Sequence, residues 1–294
     1  IDKEQTSQEV LNTAIELREN GKYDDAIIIL KNSIGKFPSD SNIPALLSHC
    51  YILIDNLKKA KIYLEAAKNL DPSIPSVGWN ETRLLLKKKK IDEAIIVAKK
   101  TSKLFPDDIE GMSVLGSCLR ANGKFDQSLK YLNRALELNP NYAEALIQRG
   151  LISLAKKDTV NALLDLEKAY HLKKHIKQIW HLVLNLKMEV KDFEGAIALG
   201  EKMVQLDSGD EKVIATMAQC YQHLKKYDRA IALYKQALNL NPEYVIAWTN
   251  LGSTYKEQGE LEEAILAYKK AVYLKPDYAD AHYNMGVTLQ HLNK

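Results

Sequence analysis

The C-terminal part of the chain has a hydrophobic pattern typical of two paired helices. Between Val245 and Tyr278, small or apolar residues first recur at three- and four-residue spacings, as on one face of a helix. They are Trp248, Leu251, Gly252 and Tyr255, and a second run comprises Leu261, Ala264, Ile265, Tyr268, Ala271 and Val272. Gly259 lies between the runs and permits a left-handed helix end, whereas Pro276 stops the second run. The pattern predicts two antiparallel helices, A and B.

The same pattern recurs every 34 residues along the chain. One column of the repeat holds Ala26, Ala60, Ala94, Ala162, Ala196, Ala230 and Ala264, with Ser128 in the remaining place. A second column holds Pro38, Pro72, Pro106, Pro140, Pro242 and Pro276, interrupted at Lys174 and Ser208. Repeats of this length bury their apolar faces against their neighbours, without one central core. We predict an all-α solenoid formed as a single array over residues 1–294, with units 7–40, 41–74, 75–108, 109–142, 143–176, 177–210, 211–244 and 245–278, plus a lone helix A at 279–293.

The two helices of each unit should approach each other closely. The eighth residue of each unit lies on helix A and is small in all units except at Leu184. The twentieth residue lies on helix B and is the alanine of the first column. Small residues on facing helices bring the axes toward the short end of the usual 8–10 Å, so a larger residue at either position should overpack the contact.

Composition narrows the class of protein. Hydrophobic residues make up 46% of the chain and charged residues 27%, as in folded globular proteins, and no apolar run reaches the roughly 20 residues that cross a bilayer. Cys50, Cys118 and Cys220 all occupy the tenth position of their units. Equivalent positions of non-adjacent repeats are too far apart for disulfides. We therefore expect buried free thiols in a reduced, cytoplasmic protein that does not insert into membranes.

The small and aromatic positions identify a resemblance. Trp248, Leu251, Gly252, Tyr255, Ala264, Tyr268, Ala271 and Pro276 match the pattern of the tetratricopeptide repeat (TPR). The resemblance covers residues 7–278 as full units. It implies a right-handed superhelix of helical hairpins, with helix A lining a concave groove that binds peptides or extended segments of other proteins.

The resemblance points to candidate groove residues on helix A. The sixth position of the units carries a partial row of amides at Asn12, Asn80, Gln148, Asn250 and Asn284. A carboxamide can donate to and accept from a peptide main chain whatever its side chains are, and such a row resembles the TPR region of O-linked N-acetylglucosamine transferases. Some of these amides could equally reflect the consensus of the repeat. Further groove candidates are Trp79, Arg83, Arg120, Asn185, Lys212, Lys256 and Tyr283.

Trp79 has two interpretations. At the fifth position of its unit it would be an exposed hot spot for a partner. The unit departs from the consensus at Gly78, Glu81 and Thr82, so a shift of the helix could instead bury the indole. We also expect irregular stacking over residues 75–90 and 174–208, where the pattern is weakest.

The groove lacks the features of several functional classes. Its positive and negative positions balance, and the net charge of the chain is only +3, so nucleic-acid binding is disfavoured. The lysine and asparagine positions that clamp a C-terminal carboxylate in chaperone-binding TPR domains are absent. No phosphate-loop or zinc-protease motif occurs, and we expect neither catalysis nor a cofactor or metal.

The sequence leaves three hypotheses for function. The first is a non-enzymatic scaffold that binds a peptide or helical segment of a partner in the groove. The second is a substrate-recruiting region of a larger enzyme, such as an O-linked glycosyltransferase, which the amide row and the consensus-like last helix favour. The third is self-association through an exposed repeat end. The last helix is not cap-like, so we expect the array to continue in a longer protein.

Overall fold

The computed structural model describes residues 6–292, and these residues form helices and no strands. The helices are α1 (Ser7–Glu19), α2 (Tyr23–Ile34), α3 (Asn42–Leu53), α4 (Leu57–Leu70), α5 (Pro75–Lys87), α6 (Ile91–Leu104), α7 (Ile109–Ala121), α8 (Phe125–Leu138), α9 (Ala143–Ala155), α10 (Thr159–Leu172), α11 (Lys177–Glu189), α12 (Phe193–Leu206), α13 (Glu211–His223), α14 (Tyr227–Leu240), α15 (Val245–Gln258), α16 (Leu261–Leu274) and α17 (Ala279–Leu292). Odd numbers are helices A and even numbers are helices B. The predicted all-α solenoid class is confirmed, whereas Asn293, the last residue of the predicted final helix, lies outside the described residues.

The chain divides into two compact units, residues 1–176 and 177–294. The first unit contains the five hairpins α1 to α10, and the second contains three hairpins and α17. Within each unit, a helix A packs on its own helix B and on both helices of the preceding hairpin. The division falls beside Lys174, where the proline column is interrupted.

The contact between helices A and B is built from the small columns. The alanines of the first column have no exposed surface. A Cβ atom added to Gly116 would lie 2.7 Å from Leu132, and one added to Gly150 would lie 2.8 Å from Leu166. Where serine replaces the small apolar residue, its hydroxyl donates to a carbonyl across the contact: Ser48 to Ala60 at 2.9 Å and Ser128 to Gly116 at 2.6 Å. A buried hydroxyl at the contact between helices A and B therefore costs little only where it donates a hydrogen bond.

The turn from helix A to helix B has one left-handed residue in every hairpin. Three of these positions are glycine, and the others carry side chains despite φ values of 58° to 61°. They are Gly21, Asp55, Lys89, Gly123, Lys157, Lys191, Lys225 and Gly259. The left-handed region is strained for a residue with a Cβ, so packing of the adjoining helices must hold the non-glycine turns in this shape.

Two glycines at the eighth position provide a matched test of the helix contact. A Cβ on Gly252 would lie 2.7 Å from the ring of Tyr268, whereas nothing lies within 4 Å of a Cβ on Gly286. We expect Gly252→Ala to destabilise the fold by about 1–3 kcal/mol and Gly286→Ala to stabilise it by about 0.5–1 kcal/mol, because alanine favours the helix. Urea midpoints measure both effects. Equal shifts of the two variants would contradict the packing account.

The turns provide a second test. Lys157 has φ +60°, and the preceding Lys156 has φ −86°. Glycine should relieve strain at the first position, whereas at the second it should add chain entropy and remove the exposed ion pair of Lys156 with Asp126. We expect Lys157→Gly to raise the thermal midpoint and Lys156→Gly to lower it. A fall in both variants would show that the left-handed lysine carries no strain.

Candidate functional site

The inner face of the first unit lines a half-open cavity of about 730 Å³, here called the first-unit cavity. Its apolar lining comes from Ile52, Leu53, Leu86, Ile109 and Ile176. Its polar lining comes from Arg18, Glu19, Tyr23, His49, Arg83, Lys87, Glu110, Asn139, Tyr142, Glu144, Lys173 and His175. A volume of this size falls in the range of small-molecule pockets.

The charged side chains around the first-unit cavity are paired with one another or with an adjacent carboxylate. The pairs are Arg18 with Glu19 (2.6 Å), Arg83 with Glu110 (2.6 Å), Lys87 with Asp55 (2.9 Å), and Lys173 with Glu19 and with Glu144 (2.8 Å). Burial alone would raise the pKa of Glu110, but the Arg83 and Arg18 guanidinium groups outweigh it and lower that pKa. A charged ligand would have to break one of these pairs, whereas the apolar lining is free.

His49 lies at the centre of this network and is neutral. Arg18 Nη1 is 2.9 Å from His49 Nδ1, and because a guanidinium only donates, Nδ1 accepts and the proton is on Nε2. Burial, and then the charges of Arg83 and Arg18, hold the pKa of His49 well below its ordinary value. The approach of Nδ1 to Glu110 at 3.9 Å is therefore not an ion pair.

The inner face of the second unit has a different chemistry. It forms a cavity of about 400 Å³, here called the second-unit cavity. Its lining is polar throughout: Gln219, Gln222, His223, Lys225, Tyr227, Asn250, Ser253, Lys256, Glu257 and Asn284. These residues come from α13, α15 and α17, from the turn after α13 and from the first residue of α14, so successive helices A lie along one surface.

Two amides of the second-unit cavity are available to a ligand. Gln222 donates to Glu257 at 3.0 Å, and Asn250 lies against the hydroxyl of Tyr234. By contrast, within residues 6–292 the structure shows no hydrogen-bond partner for the side-chain amides of Gln219 and Asn284, which are half-buried. A half-buried amide loses some of its hydration, so a ligand that bonds to it replaces the missing water contacts.

The structure brings some of the predicted groove residues together. Asn250, Lys256 and Asn284 all line the second-unit cavity. Lys212 and Asn185 are exposed outside it, and Tyr283 is 73% exposed beside it.

In the first unit, the predicted residues are mostly bound to other side chains. Arg83 lines the first-unit cavity in its pair with Glu110. Asn12 is exposed and accepts from Gln8 at 2.9 Å. Arg120 donates to Gln148 at 2.8 Å, so each of these two side chains satisfies the other.

Two predicted groove residues need correction. Trp79 is 1% exposed, and its indole N–H donates to Asp108 at 2.5 Å. Its ring fills the space over Gly111, where a Cβ would collide with it, so it cannot be an exposed hot spot. Asn80 is also 1% exposed, and its amide donates to the Ala45 carbonyl at 2.8 Å, which ties α5 to α3.

Several residues of the first-unit cavity were not predicted from the sequence. His49 lies at a groove position but carries no fixed charge, and Lys173 and His175 belong to the connection after α10 instead of to a helix A. The sequence feature that could have identified this site was Lys173 itself. At the same position, Asp71, Asn139, Asp207 and Asn241 each accept from the main-chain N–H two residues on, which a lysine cannot do.

None of the helices between residues 6 and 292 is long and apolar enough to span a bilayer. In the same part of the chain, no three histidine, cysteine, aspartate or glutamate side chains are grouped as ligands for a metal ion.

Family models match most of the repeats. A model described as "TPR repeat" matches residues 221–259 and 252–293, and models described as "Tetratricopeptide repeat" match residues 17–76, 110–142 and 187–233.

Curated relatives are similar over shorter stretches. The "BBSome complex member BBS4 homolog" of Drosophila melanogaster is 23% identical over 66% of this chain and 40% of its own length. The "UDP-N-acetylglucosamine--peptide N-acetylglucosaminyltransferase" of Giardia intestinalis is 34% identical over 30% of this chain and 6% of its own. The "Hsp70-Hsp90 organizing protein 3" of Arabidopsis thaliana is 24% identical over 37% of this chain and 20% of its own length. The chain therefore spans less than half the length of these relatives.

Solved structures share the fold. A chain of the APC/C hetero-tetramer Cut9-Hcn1 matches this chain with a TM-score of 0.71 at 18% identity. The match covers 98% of this chain and 57% of the other chain. YrrB is described as a TPR protein with an unusual peptide-binding site. The match covers 63% of this chain and 96% of the YrrB chain, with a TM-score of 0.57 at 19% identity. At these identities the matches establish the fold alone.

The neutral His49 predicts a pH effect on stability. Its folded-state pKa lies below the unfolded value of about 6.5, so its contribution is complete above that pH and is lost as the pH falls below it. Between pH 6.5 and 5.5 the loss should be about 1 kcal/mol. We expect His49→Gln to flatten the fall in urea midpoint over this range, and the exposed His171→Gln is the matched control. An unchanged slope in His49→Gln would contradict the prediction.

Proposed function

Because this chain belongs to the tetratricopeptide-repeat family, we propose that it is a non-enzymatic protein-interaction scaffold that binds an extended segment of a partner along the inner face of the second unit. The observation that carries the proposal is the row of amides in the second-unit cavity, where Gln219 and Asn284 lack partners in the described structure. Their donors and acceptors suit a peptide main chain.

The charges of the second-unit cavity favour a partner segment with little net charge. Lys225, Lys256 and Glu257 contribute both signs, and Glu257 is already bonded to Gln222. A phosphate backbone would need a basic stripe, so we propose a protein partner and not a nucleic acid. The segment would be held mainly through its main chain, with side chains setting specificity at the rim.

The relatives support the class of function without naming the partner. The Arabidopsis relative is an organizing protein for Hsp70 and Hsp90, the Drosophila relative is a member of the BBSome complex, and YrrB has a peptide-binding site. The proposal for this chain extends only to partner binding, because these similarities span part of each protein.

A second candidate is a substrate-recruiting region of a larger enzyme. The match to the Giardia transferase covers 89 residues at 34% identity, and Asn250 and Asn284 fit the amide row of such regions. An immunoblot of source cells decides between the two: a native polypeptide near the 33.3 kDa of this chain favours the scaffold, and a much larger one favours the recruiting region. Self-association is a third proposal, which concentration-dependent light scattering tests.

The amide row can be tested with selected peptides. We expect peptides chosen from a random displayed library against the full chain to bind about tenfold more weakly to Asn284→Ala, since one hydrogen bond in a half-buried site contributes about 1–1.5 kcal/mol. Isothermal titration measures the affinities. N-methylation of the contacted main-chain amides should weaken binding by a similar factor.

The matched control replaces an amide on the opposite face. Asn239 is exposed on α14, a helix B of the same unit, so Asn239→Ala should leave the affinity unchanged. Equal losses from Asn239→Ala and Asn284→Ala would place the peptide elsewhere and overturn the proposal.

A further inference from the structure

The first unit is closed by a contact between its two ends. Lys173 follows α10, at the end of the fifth hairpin, and its ammonium group bonds to Glu19, the last residue of α1 in the first hairpin. The two residues are 154 positions apart. Lys173 also bonds to Glu144 of α9 at 2.8 Å, within its own hairpin. Lys173, Glu19 and Glu144 are here called the latch.

A second contact accompanies the latch. A Cβ atom on Gly21 would lie 2.7 Å from the ring of His175, so the absence of a side chain at Gly21 lets the imidazole approach the turn after α1. The rings of His175 and Tyr23 meet edge to face, with centroids 6.2 Å apart. Both ends of the five-hairpin stack therefore border the first-unit cavity, which Tyr23, Lys173 and His175 all line.

The lining of the first-unit cavity indicates which class of ligand it can bind. Its charged lining residues are already in ion pairs, and His49 is neutral, so a charged ligand would leave at least one buried group unpaired. Beside the side chains of Tyr23, Asn139, Tyr142 and His175, five aliphatic side chains remain as unpaired surface. Burial of apolar area is then the main favourable contribution that a guest can make.

The latch is the weakest part of the cavity wall. The side chains of Glu19 and Glu144 are 40% and 42% exposed, so water and salt reach them. Ion pairs of this kind contribute about 1 kcal/mol or less, whereas successive hairpins are joined by extensive apolar packing. Separating the two ends therefore costs less than separating any two neighbouring hairpins.

We propose that the first-unit cavity binds a small, uncharged, apolar molecule, and that Lys173 is the latch residue that closes the side of the cavity where the two ends meet. The inference goes beyond the proposed peptide site, which lies in the other unit. Closure depends on the bond from Lys173 to Glu19, which is the ion pair that the described residues place between the two ends, beside the packing of His175 on Gly21 and Tyr23. The bond to Glu144 orients the lysine.

Distances between spin labels on the full chain test the latch. Ile28 and Leu164 are 57% and 66% exposed on α2 and α10, so Ile28→Cys with Leu164→Cys gives one label in each end hairpin. The native cysteines are fully buried, and burial raises the pKa of Cys50 to about 11 and those of Cys118 and Cys220 to about 12, which keeps them from reacting. Glu19→Gln and Lys173→Met should lengthen and broaden the distance distribution.

Three comparisons separate the latch from general destabilisation. Glu144→Gln should change the distances less than Glu19→Gln, because it leaves the end-to-end bond in place. Lys156→Met removes an exposed ion pair with Asp126 between adjacent hairpins and should change nothing. In 1 M NaCl, where the Debye length is about 3 Å, the distances should change less than in Glu19→Gln, because the Lys173 side chain is only 14% exposed and a contact pair of this kind is screened only in part. Unchanged distances in both Glu19→Gln and Lys173→Met would overturn the latch.

Binding of N-phenyl-1-naphthylamine, an uncharged apolar fluorophore, tests the ligand class of the first-unit cavity. We expect one molecule per chain, lost in Leu53→Asp, which places a charge on the cavity lining, and retained in Ile62→Asp, an isoleucine 64% exposed on α4. Stopped-flow association should be about fivefold faster in Glu19→Gln, the factor that corresponds to about 1 kcal/mol. Equal loss in the two aspartate variants would overturn binding in the first-unit cavity, and an unchanged association rate would overturn closure by the latch.

Discussion

Close contact between helix A and helix B is the constraint on which the rest of the structure depends. Every hairpin except the sixth, which carries Leu184, places a small residue of helix A against the fully buried alanine or serine of helix B. The short separation brings large residues of helix B, such as Leu132, onto helix A of the same hairpin, and Tyr234 packs in a cluster that joins neighbouring hairpins. Because this contact recurs, the helices A lie side by side and present one continuous inner face within each unit.

The turns show how that contact overrides local preference. A glycine is the residue that the left-handed turn position favours, yet lysine or aspartate occupies it in most hairpins. The strain of each such turn is about 1–3 kcal/mol, and burial of the adjoining helices exceeds it. The same reasoning explains Asn80, whose amide leaves the groove to satisfy the carbonyl of Ala45.

The sequence predicts the fold far better than the site. Fixed spacing specifies the helices, the turns and the fully buried columns, since each depends on neighbours in sequence or in the next repeat. Asn250, Lys256 and Asn284 were also predictable, because these hairpins follow the consensus closely. For Trp79 the sequence left two interpretations open, since its burial depends on Gly111 in the next hairpin, where a Cβ would collide with the ring. The contact of Lys173 could not be predicted, because its partner Glu19 is 154 residues away and the repeat spacing does not pair the two positions.

The two inner faces show how one repeat provides two kinds of site. In the second unit, uncharged amides on successive helices A leave hydrogen-bonding capacity free, which suits a main chain. In the first unit, the corresponding positions hold arginine, histidine and glutamate, which satisfy one another and leave a mainly apolar surface. Hydrogen-bonding groups that are paired internally cannot recognise a ligand, so the more charged face is the one suited to an uncharged guest. Side-chain pairing within the face, and not its count of charges, therefore determines what each unit can bind.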